Sequence, residues 1–140
     1  LRTKIVRSSN PSPEDRAAIS APLSEFNLQN GPPPNFWNIA LLLQNAEGST
    51  IGGLWGRAAY DWLFIEAVAV PASLRRMGWG RALMLQAEQT AIEHSSIGIW
   101  LNTLAFQGLP FYEKLGYQRF GQIDDQPRGG THYFLQKRLS

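Results

Sequence analysis

The sequence predicts an α/β fold: helices layered on a mixed sheet. Three observations carry this. Short apolar segments with strand character recur along the chain, Trp62–Val70 the most apolar of them. Two segments with helical spacing, one opening at the glycines near 80 and one near 110, fall between strands. Turn chemistry separates all of them. The expected order is one strand, one helix, three strands, a helix, a strand, a helix and two strands.

Thr3–Arg7 reads as a short first strand, broken by Pro11 and Pro13. Ser12-Pro13-Glu14-Asp15 is a helix start, and the helix is expected to run toward Leu28. Residues 29–35, QNGPPPN, form a stiff loop, because proline fixes φ and removes donors. Strands are expected over Asn38–Gln44 and Thr50–Ala58, joined through the hairpin residues NAEGS at 45–49. Asp61 leads into Trp62–Val70, so apolar that burial on both faces is expected, with Glu66 its one charge. Pro71 ends it.

The next helix should reach about His94, with Leu83, Ala87 and Ala91 at four-residue spacing facing the core. Ile97–Asn102 is a further buried strand. Gln107–Leu115 is a short helix stopped by Gly116. Tyr117–Ile123 and Thr131–Lys137 are the last strands, joined by the turn-rich DDQPRGG. With 140 residues and no repeat or linker, a single domain over 1–140 is expected.

Composition narrows the function classes. Hydrophobic residues make up 44% and charged residues 17%, which fits a folded chain rather than a disordered one. There is no cysteine, so a disulfide framework, a cysteine metal site and a cysteine nucleophile are all excluded. His94 and His132 lack ligand spacing, and no metal is expected. No apolar run is long enough for a membrane span. The opening residues lack the apolar stretch of a secretory signal, and a cytoplasmic chain is expected. The net charge of +2 is small, and no aromatic-plus-basic stripe suggests nucleic acid.

The position of the arginines says more than their number. Arg75, Arg76 and Arg81 crowd one loop, SLRRMGWGRAL, which follows a buried strand and opens a helix. A helix N-terminus leaves amides unpaired and is electropositive. Glycines let a bulky anion approach those amides, and arginines add paired donors suited to phosphate oxygens. The combination predicts a pyrophosphate site. A phosphate-binding P-loop would need Gly-Lys-Ser/Thr where Gly80-Arg81-Ala82 stands. A dinucleotide fingerprint would need a third glycine at Leu83 and an acid at the end of the next strand, where Asn102 stands.

These residues resemble the GNAT family of N-acetyltransferases. The family's acyl-CoA motif, Gln/Arg-x-x-Gly-x-Gly/Ala, is matched by Arg75-Arg76-Met77-Gly78-Trp79-Gly80. Val68, Val70 and Pro71 match the apolar strand end before it. Asn102, Ala105 and FYEKLGY at 111–117 match the family's downstream signature. The resemblance implies a mostly antiparallel sheet with a central parallel pair that splays, flanked by helices. It implies acetyl-CoA as co-substrate, bound along Val68, Ala69 and Val70 and on Arg75, Arg76, Met77, Gly78, Trp79, Gly80 and Arg81. It implies a small-molecule or protein amine as acceptor, places the acceptor region near Gly31–Pro34, and leaves a homodimer open. A non-catalytic acyl-CoA sensor carries the same motif.

By the same resemblance Tyr112 is the proton donor to the leaving thiolate, a role its ordinary pKa near 10 suits; packing is its other use. Glu66 is the candidate base. It interrupts an apolar strand and shares side-chain parity with Val68 and Val70. A carboxylate in a dry cleft would accept a proton more readily, directly or through a water; its other reading is a solvated acid on a partly exposed strand, and bulk water alone can deprotonate an amine of low pKa. Asn102 is placed to bond the pantetheine arm or the substrate, or to turn the chain at a strand end. Asp124 and Asp125 fit a turn and also a border of the acceptor site. Trp37, Trp55 and Trp62 are expected in the core.

Overall fold

The computed structural model describes residues 2–140. The chain divides into two compact units, Leu1–Pro33 and Pro34–Ser140. The first unit holds helix α1, Pro13–Asn30, two residues longer than its sequence suggested. Ser12 caps it: the Ser12 hydroxyl accepts from the Asp15 amide at 3.1 Å. The Asp15 carboxylate accepts from the Ser12 amide at 3.0 Å. Two orphan amides are thus satisfied reciprocally. Residues 3–7, expected as a strand, are not one. Strand character is a property of paired neighbours more than of residue type, and these residues carry no ladder.

The second unit contains one six-stranded sheet. Its elements are β1 (Trp37–Gln44), β2 (Thr50–Ala59), β3 (Trp62–Ala69), α2 (Trp79–Glu93), β4 (Gly98–Leu104), α3 (Leu109–Lys114), β5 (Gln118–Asp124) and β6 (Thr131–Arg138). The spatial order is β1-β2-β3-β4-β6-β5. β3 and β4 are the one pair of neighbouring strands that runs parallel, and the crossover helix α2 joins them. This is the mixed sheet with one central parallel pair that the sequence led us to expect.

The core lies between the sheet and α2. Leu63, Ile99 and Leu101 of the parallel pair meet Met84, Ala87 and Ala91 of α2, all at 1% exposure or less. Leu83, Ala87 and Ala91 face inward as their spacing predicted, and Glu88 is buried among them. Truncating Met84 to alanine would cost about 2–5 kcal/mol, the usual range for emptying such a site.

β3 departs from the sequence expectation. It is not buried on both faces: Leu63 and Ile65 are buried, while Glu66, Ala67 and Ala69 are exposed. Trp55 is 48% exposed and is not a core residue. Trp37 is half-buried and stacks on His94 with ring centroids 3.9 Å apart. Among the described residues, no helix is long and apolar enough to cross a membrane.

Candidate active site

β3 and β4 pair from Trp62 opposite Gly98 to Ile65 opposite Leu101, and no further. Both strands continue. β3 stays on β2 as far as Ala69, and β4 stays on β6 as far as Leu104. The sheet therefore opens in its middle, and the backbone groups of residues 66–69 that turn toward β4 have no strand partner. An open edge of this kind accepts another extended molecule.

A bulge marks where the opening begins. Trp55 stands opposite Ala67, but Gly56 stands opposite Ile65, so β3 takes up one extra residue at Glu66. The alternation that aligned Glu66 with Val68 is broken here. Ile65 and Val68, three apart, face Gly56 and Leu54 on one side of the sheet. Gly56 is the sequence signal for this: a Cβ there would meet the Phe64 carbonyl at 2.9 Å. Glu66 is exposed at the mouth of the cleft, so of its two surroundings weighed from sequence the solvated one is found and the dry one is not.

The cleft has a volume of about 1240 Å³. Its walls bring together most of the residues singled out from sequence: Glu66, Val68, Ala69, Val70, Arg75, Arg76, Gly78, Trp79, Gly80, Arg81, Asn102 and Tyr112. Met77 is not among them and is 66% exposed. Asp124 and Asp125 do not line it either; the Asp125 carboxylate accepts from the Gly129 amide at 3.0 Å, a turn contact.

The loop at one end of the cleft has the character of an anion site. Gly78 has φ +87°, a conformation glycine adopts without strain, and nothing lies within 4 Å of where its Cβ would be. The first amide of α2 to find a carbonyl is Ala82, on Gly78 at 3.0 Å. The preceding amides of the first turn have no helical partner. Gly80 has a different reason: a Cβ there would meet the Phe111 ring at 3.2 Å, so it lets α2 start against α3. Arg75, exposed, folds back on the strand end, its Nε donating to the Val70 carbonyl at 3.2 Å. Neither Arg76 nor Arg81 joins an ion pair among the described residues, whose two pairs are Arg119–Glu113 and Lys137–Glu88. Both are exposed beside the unpartnered amides, and the residues present fit a pyrophosphate.

At the other wall stands Tyr112. Burial raises its pKa above the ordinary value near 10.0, so the phenol keeps its proton throughout the neutral range. Its ring meets Phe111 edge-on, with centroids 5.0 Å apart.

Sequence reasoning missed the residues that set the loop before α3. The Gln107 side-chain oxygen accepts from the Leu104 amide at 2.7 Å. The Thr103 hydroxyl, on a residue 3% exposed, accepts from the Gly108 amide at 3.2 Å. A polar residue inside an apolar strand was the available signal for Thr103.

Comparison with known proteins gives the family of the chain. The family model of the acetyltransferase (GNAT) family matches residues 4–117. An acetyltransferase of Agrobacterium fabrum is 28% identical over 126 residues, covering 90% of this chain and 92% of that protein. The blasticidin-S acetyltransferase of Streptomyces morookaense is 37% identical over 93 residues, covering 66% and 68%. The crystal structure of an acetyltransferase from Bacillus cereus superposes with a TM-score of 0.85 at 28% identity, covering 96% of this chain and 98% of that one. An opened parallel pair, a glycine-arginine helix start and a Tyr112 held at the cleft wall are thus found in a chain that belongs to the GNAT family of acetyltransferases.

Proposed function

We propose that this acetyltransferase moves an acetyl group from acetyl-CoA to a primary amine of a small molecule, by direct attack with both substrates bound. The observation that carries this is the single cleft: the unpaired arginines, the opened β3 edge and Tyr112 all line it. The acceptor class rests on the blasticidin-S acetyltransferase among the relatives, whose named substrate is a small molecule.

Acetyl-CoA supplies an activated acyl group and a thiolate leaving group. Arg76, Arg81 and the first-turn amides of α2 would hold its phosphates. The open edge of residues 66–69 would hold its extended arm, and Asn102 lies across the split to bond the arm or the acceptor. Backbone amides of this edge would polarise the thioester carbonyl. The amine nitrogen forms a bond to the carbonyl carbon, and its surplus proton passes through water to Glu66 at the bulge. The carbon–sulfur bond then breaks, and Tyr112 gives its proton to the departing sulfur. Glu66 and Tyr112 return to their starting states by exchange with solvent, so the net products are the N-acetyl amine and the free thiol.

The test is thiol release from acetyl-CoA with a panel of amines: blasticidin S, an aminoglycoside, spermidine and a lysine peptide. Turnover of a small amine, slowed in a Tyr112→Phe variant, is expected. Calorimetric binding of CoA with no thiol release on any amine would refute the proposal, and turnover of the lysine peptide alone would move the acceptor to proteins.

A further inference from the structure

Behind the cleft lies a buried charged cluster that none of these steps uses. Glu88 sits on the inner face of α2 and is 8% exposed. One of its oxygens accepts from the Tyr117 hydroxyl at 2.9 Å. The other accepts from Lys137 Nζ of β6 at 3.0 Å. Lys137 Nζ also donates to the Leu115 carbonyl at 2.8 Å.

Leu115 is the residue that caps the C-terminus of α3. The Leu115 and Tyr117 amides both donate to the carbonyl of Tyr112, at 3.0 and 3.1 Å. The Tyr117 ring meets the Tyr112 ring edge-on, with centroids 6.2 Å apart. The Lys137 stem lies over Gly116: a Cβ there would be 3.5 Å from Lys137 Cε, and Gly116 has φ +95°. Two elements distant in sequence, α2 and β6, thus converge on the turn just after Tyr112.

Apolar residues of similar volume would hold α2, β6 and this turn together at least as well, because an ion pair taken out of water recovers little of its desolvation cost. What the charged cluster adds is direction. Each of its hydrogen bonds has a preferred line, and together they locate the 115–117 turn. α3 has six residues and cannot hold its own orientation. Locating its end therefore locates the phenol.

We propose that Glu88 and Lys137 are positioning residues for Tyr112: through the Leu115–Tyr117 turn they hold α3 so that the phenol meets the departing sulfur. This rests on Tyr112 being the proton donor. Neither residue lines the cleft, so neither touches substrate.

A double-mutant cycle tests it, using the amine of the panel that turns over fastest. Glu88→Gln should lower kcat about tenfold in the wild-type background and less than about twofold in Tyr112→Phe, because coupled residues are non-additive. KM for acetyl-CoA should stay within about twofold, since uniform binding is untouched. Lys137→Met should behave like Glu88→Gln, and Lys137→Arg should restore most of the rate. Should Glu88→Gln fail to fold, Tyr117→Phe removes one hydroxyl while keeping the ring, and serves in its place. A second readout needs no amine. In protein carrying ¹³Cζ-labelled tyrosine, CoA should shift the Tyr112 resonance in wild type, and Glu88→Gln should lose that shift while still binding CoA. A Tyr112→Phe variant with wild-type kcat would overturn the donor assignment and the positioning role together. A slow Tyr112→Phe with equal losses from Glu88→Gln in both backgrounds would overturn the positioning role alone.

Discussion

Ile65 of β3 stands opposite Leu101 of β4, and they are the last residues the two parallel strands share. One position further, Glu66 is bulged out on one strand and Asn102 is exposed on the other. The opening of the sheet and the placement of the candidate base are one structural event, because the bulge that frees Glu66 also turns β3 away from β4. Glu66→Gln keeps the shape and removes the proton acceptor. It should lower kcat by about 100-fold, the lower end of general base catalysis, with KM for acetyl-CoA unchanged. Initial rates at saturating acetyl-CoA check this.

The two cleft glycines should respond differently to alanine. Gly78→Ala forces a Cβ into a left-handed conformation and should cost about 1–2 kcal/mol of stability, read as a lower Tm. Gly80→Ala needs no unusual φ but presses on Phe111 at 3.2 Å. It should weaken CoA binding measured by calorimetry more than it lowers Tm, because α3 must move at the cleft wall.

Arg76→Ala and Arg81→Ala should each weaken CoA binding about tenfold or more, the worth of a charge-assisted hydrogen bond of roughly 1.5–3 kcal/mol. Because these arginines are exposed, salt should screen their interaction with the phosphates. Binding titrations at low and high ionic strength should show a smaller salt effect in each variant than in wild type.

The pH profile carries the sign of the Tyr112 shift. Burial raises its pKa, and the donor must be protonated to act. The alkaline loss of kcat should therefore come above the ordinary tyrosine value near 10.0 and not below it. Tyr112→Phe should remove that limb along with most of the rate.

Tyr117 is pushed up by burial first, then by the Glu88 charge and the hydrogen bond to Glu88, and lastly by Tyr112. Between its unfolded value near 10.0 and its higher folded one, the folded state binds more protons than the unfolded state. Stability from this group is complete below about 10 and falls as pH rises beyond it. Urea unfolding at rising pH should show a decline starting there, and Tyr117→Phe should flatten it.

Much of this site was legible along the chain because it is local. The arginines and glycines of 75–81 are contiguous, and the phosphate role proposed for them rests on backbone amides at a helix start, which needs no distant partner. FYEKLGY at 111–117 is likewise one segment, and Leu83, Ala87 and Ala91 declare their face by spacing alone. The order of strands and helices from Trp37 onward follows from the same local patterns, with ends displaced by one or two residues in either direction. Thr3–Arg7 failed for the complementary reason: its residue types suit a strand, but a strand exists through its neighbour.

The remainder depended on contacts between residues far apart in number. Nothing near Glu66 announces the bulge; it arises where β3 meets β2, and its trace is Gly56 on the other strand. The parity that linked Glu66 to Val68 was a period-two inference, and one inserted residue reverses such an inference for everything beyond it. Glu88 and Lys137 are 49 residues apart and meet only because α2 and β6 pack toward the same turn. Short-range chemistry along the chain was enough to propose a phosphate site at 75–81, and the resemblance carried by one contiguous segment singled out the phenol. The cleft between them, the exposure of Glu66 and the charged cluster behind Tyr112 came from long-range pairing, whose geometry no single segment contains.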